Sequence, residues 1–252
     1  MQRILSSILV ILLLLAGPVL AADGTAIPFA IGEWPPYTGS DLTGNGMAAE
    51  IVSAACNAVG LQAHFEYLPW LRAENVVAFG SHFGTFPFRT TKARKGIHWF
   101  SAPIFNSHFS AVMMKNTGRS RQFSITRREG LKGYRAGIVS GTEWVKTALE
   151  ETGVDVQEAP GVEDNLRKLA AGRIDVYIED EAVIRQALEN GPSSRKDRFF
   201  VLDEPFSDDQ DFHIMASRAF PDSHHLLAKV NEGLEKIKRS GEYQKILKRY
   251  ER

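Results

Sequence analysis

The 252-residue sequence has one cysteine, Cys56, so no internal disulfide can brace it. A chain of this length must then be held by packing, in one large or two small domains. Net charge is missing too, because 30 lysines and arginines balance 30 aspartates and glutamates. So balanced a chain has no overall field to draw it to nucleic acid or to an anionic membrane. The seven histidines follow no metal-ligand spacing, and no metal or cofactor is expected. There is no short-period repeat, no low-complexity segment and no long structureless linker. Long apolar runs are nearly absent. The one that exists, Ile8 to Leu15, lies between Arg3 and the breaker Gly17-Pro18 and is too short to span a membrane. It reads as a secretory signal peptide over residues 1–21, with Val19-x-Ala21 before the cut. No cysteine stands near that site to take a lipid anchor.

What is present is an alternation of strand and helix patterns. "AIPFAIGEWPPYTG" reads as a strand ending in a Pro-Pro turn, "GMAAEIVSAACNAVGL" carries apolar residues at helical spacing, and "QAHFEYLP" alternates as a strand should. This order is that of a βαβ unit with a parallel sheet. The pattern returns in "GYRAGIVSGTEW", "EWVKTALEETG", "VDVQEAP", "VEDNLRKLAAG" and "RIDVYIED". Two α/β lobes follow, each a mixed, mostly parallel sheet flanked by helices. Two apolar runs, "NSHFSAVMMKN" and "SDDQDFHIMAS", are placed to carry the chain from one lobe into the other and back. The first lobe is then discontinuous, residues 22–108 with 210–252, and the second is 109–209. Its closing piece is amphipathic, with Leu226, Leu227, Val230, Leu234 and Ile237 on one face and a break at Gly241.

Five stretches, in this order, make the chain similar to the family 3 periplasmic solute-binding proteins, the receptors of ABC importers for polar amino acids. They are "WPPYTG"; Thr91-x-x-Arg94 followed by "FSAPI"; "GIVSGTEW"; "LAAGRIDVYIEDE"; and "SGEYQKILKRY". The resemblance implies a two-lobed (type II) flytrap that works as a monomer in the periplasm, with an amino-acid-like ligand in the interlobe cleft and a membrane permease as partner. It also implies roles residue by residue. Arg94 would grip the ligand's α-carboxylate, Asp180 its α-ammonium, and Gly141 with Thr142 the same carboxylate; Trp34 and Trp70 would sandwich the side chain. The chemistry suits those roles, since a guanidinium fork matches a carboxylate bidentately and a helix start offers N–H groups to the same anion.

Each residue also has a plainer reading. Arg94 sits in a basic stretch with Lys92 and Lys95, Asp180 between Glu179 and Glu181, and Trp34 and Trp70 are ordinary packing residues by type. Cys56 reads as a small buried apolar residue, Asp175 as a strand-start acid serving the fold, and Arg119, Arg121, Arg127, Arg128 and Lys132 as a solvated basic face. The chain also departs from its relatives. "GTFPFR" places bulky Phe86 and Phe88, with Arg89, where small hydroxyl residues are usual, and Glu143 and Trp144 follow the Gly-Thr turn. Phe88 and Glu143 therefore join the candidate ligand contacts. Two alternatives stand beside the receptor: a prephenate or arogenate dehydratase on the same scaffold, with Glu143, Glu179 or Asp180 as general acid, and a solute sensor working with a membrane signalling protein.

Overall fold

The computed structural model of the protein describes residues 25–115, 128–191 and 197–250. The proposed signal peptide and Arg119, Arg121 and Arg127 lie outside them. Two sheets organise the described chain. The first has the order β2-β1-β3-β11-β4, with β5 also paired to β11; its strands are β1 (Thr25–Ile31), β2 (Leu61–Tyr67), β3 (Gly84–Phe88), β4 (His98–Phe100), β5 (Phe105–Ser107) and β11 (Gln210–Ser217). The second has the order β10-β6-β9-β7-β8, from β6 (Phe109–Met114), β7 (Arg135–Val139), β8 (Asp155–Ala159), β9 (Val176–Asp180) and β10 (Phe199–Val201).

The βαβ patterns give the parallel pairs, β1 with β2 and β3, and β7 with β8 and β9. The sheets are more mixed than the alternation implies. Every antiparallel pairing in them involves β11 or β6, the strands on which the chain enters each sheet after crossing from the other. Asp175 serves the second sheet as expected: it accepts from both the backbone amide and the guanidinium of Arg135, tying the start of β9 to that of β7.

On the first sheet, helix α1 (Met47–Asn57) buries Met47, Ile51, Val52, Ala55 and Cys56. Burial pushes the Cys56 thiol up to about 12, which makes it a small apolar filler rather than a nucleophile. Helix α7 (Ser223–Ser240) lays Leu227, Val230, Leu234 and Ile237 inward. Gly233 lies on that face so close to α1 that a Cβ there would come 2.0 Å from the Ala55 carbonyl oxygen. Across β2, β1 and the start of β3, Phe65, Phe29, Phe83 and Phe86 form edge-on and tilted aromatic pairs. Phe86 therefore belongs to the core, and Phe88 alone of that pair lines the cleft.

The two crossings are tied to each other by His108, between β5 and β6. Its Nδ1 lies 3.0 Å from Asp209 Oδ1 on the return crossing, and its Nε2 2.8 Å from Glu181 Oε2 at the start of helix α6 (Glu181–Asn190). A neutral imidazole has one N–H, so both contacts require the cation. Burial alone would lower the His108 pKa, but the two carboxylates outweigh it and raise the value above 6.5. Glu181, despite its own burial, is held down to about 2 by His108, Arg185 and Ser110. The signs follow from linkage. The His108 contribution is complete below 6.5 and lost as pH rises through its folded value; that of Glu181 is present above 4.5 and lost toward pH 2. The group is partly exposed, so its share stays below about 1 kcal/mol. His108→Gln should flatten the fall in melting temperature between pH 6 and 9; an unchanged slope would remove His108 from the account.

Candidate functional site

Three local structures of the first sheet aim side chains at one cleft. After β1 the chain folds back on itself: the Trp34 amide donates to the Thr38 carbonyl at 2.8 Å, and buried Thr38 Oγ1 donates to the Gly32 carbonyl at 2.7 Å. This turn sets Trp34 at the cleft wall. Helix α2 (Trp70–Ala78) begins just after Pro69, and the i, i+4 spacing of Trp70 and Glu74 puts both on its cleft side. Beyond β3, Thr91 caps the short helix α3 (Lys92–Ile97), its hydroxyl accepting from the Arg94 amide at 3.2 Å. The Thr-x-x-Arg spacing is thus an N-cap followed by its third helical residue, which fixes where the arginine side chain starts.

From that position the Arg94 guanidinium lies 4.7 Å from the Phe88 ring centroid and donates through Nε and Nη2 to the two Glu74 carboxylate oxygens, at 3.1 and 3.3 Å. One edge of the fork is occupied, and the end-on edge, carrying Nη1 and the second Nη2 hydrogen, is left for another acceptor. Arg89 leaves β3 in a different direction. Its guanidinium sits 3.7 Å from the centroid of the Trp144 ring and donates to Gln210.

The second sheet supplies the opposite wall. At the end of β7 the Ser140-Gly141-Thr142 turn, with Gly141 at φ +93°, leads into helix α4 (Glu143–Glu150). The Thr142 amide is used inside the turn, donating to the Val139 carbonyl at 3.1 Å. Glu143 is exposed and does not line the cavity; the next residue, Trp144, does, packed edge-on against Phe109 at 4.8 Å. A helix start turns by about 100° per residue, so a shift of one position decides which side chain faces inward.

The same shift of one residue separates two acids at the end of β9. Asp180 is fully buried and caps α6: its Oδ1 accepts from the amides of Ala182 and Val183 at 3.0 and 3.3 Å and from the Tyr37 hydroxyl at 2.9 Å. It does not line the cavity, and Glu179 does. Glu179 accepts from Tyr177 Oη at 2.7 Å, the Asp180 amide at 2.9 Å and Trp34 Nε1 at 3.2 Å. Burial raises Glu179 to about 7 and Asp180 to about 6, against the hydrogen bonds that favour their charged forms. Of the residues predicted from the sequence, Arg94, Thr142, Gly141, Trp34, Trp70 and Phe88 line one cavity, while Asp180 and Glu143 do not. Glu74, Arg89, Trp144 and Glu179 line it as well, and the i, i+4 pairing of Trp70 with Glu74 was a sequence signal for the first of these.

Among the described residues, contacts that span the cleft include Trp34 to Glu179, Tyr37 to Asp180 and Arg89 to Trp144. This cavity, about 90 Å³, shares Trp34, Trp70, Leu71, Val139 and Ser140 with a second, larger one of about 580 Å³ that adjoins it. The arrangement offers donors for an anion on one wall and an acceptor for a cation on the other, between aromatic faces.

A family model described as bacterial extracellular solute-binding proteins, family 3, matches residues 29–252. A probable histidine-binding protein of Neisseria gonorrhoeae is 25% identical over 225 residues, covering 86% of this chain and 80% of its own. The ABC transporter arginine-binding protein 1 of Escherichia coli (strain K12) is 30% identical over 149 residues, 58% of this chain and 56% of its own. An ancestral arginine-binding protein bound to arginine shares the fold with a TM-score of 0.77 at 23% identity, over 91% of this chain and all of the other. A histidine kinase sensor domain similar to periplasmic binding proteins has the same TM-score at 19% identity, over 91% and 97%.

Proposed function

The chain belongs to family 3 of the bacterial extracellular solute-binding proteins, and from that premise we propose that its cleft captures a free α-amino acid and delivers it to an ABC-type membrane importer. The protein acts as a periplasmic monomer, exported by its leader, and does no chemistry of its own. Residues 22–108 with 210–252 form one lobe and 109–209 the other. The observation that carries this reading is that Arg94 from the first lobe and Glu179 from the second line one cavity. The end-on edge of Arg94 takes the α-carboxylate, joined by Thr142 and Gly141, and Glu179 takes the α-ammonium. Because the two groups lie on different lobes, a zwitterion stabilises the closed state by bridging them.

Protonation tests the assignment. With its pKa at about 7, Glu179 holds a proton through much of the mildly acidic range. A bound ammonium favours the carboxylate, so binding near pH 6 should release close to one proton, and binding above pH 8.5 almost none. Calorimetric titration in buffers of different ionisation enthalpy measures this. Glu179→Gln should abolish the release and weaken binding. Release that persists in Glu179→Gln would move the ammonium site to Asp180.

A further inference from the structure

We propose that Glu74 sets the charge preference of the cleft, so that the protein selects a net-neutral amino acid with a large apolar side chain rather than a cationic or acidic one. This deepens the amino-acid reading above and rests on it. The first ground is the set of charges that line the first cavity: two cations, Arg89 and Arg94, and two anions, Glu74 and Glu179. Glu74 is bonded to both Nε and Nη2 of Arg94, and the two side chains are only 28% and 15% exposed. Arg94 therefore meets a ligand carboxylate with its charge already balanced. Asp180, the remaining acid at that wall, does not line the cavity, and its Oδ1 caps α6 and accepts from Tyr37. A zwitterion leaves the four charges summing to zero, whereas an added side-chain charge of either sign would be buried without a counterion.

The second ground is independent of the first. The larger adjoining cavity, the space open to a side chain too long for the first, is walled by Trp34, Tyr67, Leu68, Trp70, Leu71 and Val162. Its one carboxylate, Glu33, already accepts from the Ser40 amide and hydroxyl, the latter at 2.8 Å. Two aromatic faces of the first cavity able to hold a cation already carry one, since Arg89 covers Trp144 and Arg94 covers Phe88. Apolar surface, not a counter-charge, is what the side chain meets.

The test is calorimetric titration of the protein with phenylalanine, tryptophan, leucine and methionine, against arginine, histidine and glutamate. At least one neutral apolar amino acid should bind tenfold or more tightly than any charged one. In Glu74→Gln, which keeps a hydrogen bond to Arg94 but removes the charge, the ratio of glutamate affinity to that of the best neutral ligand should rise at least tenfold. Preferential binding of arginine or histidine would overturn the inference while upholding the amino-acid reading. An unchanged ratio in Glu74→Gln, with all affinities falling together, would reduce Glu74 to a structural prop. Binding of no amino acid would overturn both readings. The wild-type titration stands even if the variant fails to fold.

Discussion

Arg94→Ala should weaken ligand binding by at least tenfold. Charge-assisted hydrogen bonds contribute roughly 1.5 to 3 kcal/mol each, and the exposed edge of the fork can form two with one carboxylate. The substitution also strands Glu74, whose carboxylate then faces the ligand's own carboxylate across the space Arg94 filled, adding repulsion to the lost attraction. Arg94→Lys should fall between the two, because an ammonium keeps the charge but cannot hold Glu74 with one edge and a ligand with the other. Calorimetry on the three proteins checks the ordering. Equal affinity of wild type and Arg94→Ala would take Arg94 out of the site.

The second large effect is on stability and lies far from the cleft. Gly233→Ala should destabilise the protein by about 3 kcal/mol or more, since the new methyl would stand 2.0 Å from the Ala55 carbonyl oxygen and backbone cannot yield as a side chain does. Helices α1 and α7 would have to separate, loosening the face that buries Ile51, Val52, Val230 and Leu234. Gly96→Ala is the control. No atom lies within 4 Å of the added carbon there, so its effect should stay below about 1 kcal/mol. In urea, Gly233→Ala should move the midpoint with little change in slope, while Gly96→Ala leaves it nearly in place.

The parts of the molecule that could be read from the sequence are those set by short-range rules. Thr91 and Arg94 are three residues apart, and a cap plus a helical turn places them without help from the rest of the chain. The βαβ patterns likewise give the parallel pairs of both sheets. The predicted contacts that do not line the cavity, Asp180 and Glu143, each lie one residue from one that does, at an element end. In β9 every residue from Val176 to Asp180 is buried, so inside–outside alternation gives no sign of whether Glu179 or Asp180 lines the cavity. The signal that does distinguish them is Asp180 directly before the periodic run of α6, the position of a capping residue. Glu143 and Trp144 pose the same problem at the start of α4. The i, i+4 spacing puts Glu74 beside Trp70, but its pairing with Arg94, 20 positions away, exists only because the tertiary fold brings that face of α2 against α3.

The most direct test of the central claim, that the cleft between the two sheets binds a free amino acid, is thermal unfolding of the protein against a panel of amino acids, dipeptides, polyamines and small carboxylates. A ligand at a hundred times its dissociation constant adds about 2.7 kcal/mol, which raises the midpoint of a domain pair this size by roughly 5 to 10 °C. The account predicts such a rise with at least one α-amino acid, and its disappearance in Arg94→Ala. A rise only with polyamines or simple carboxylates, or one that survives Arg94→Ala, would contradict it.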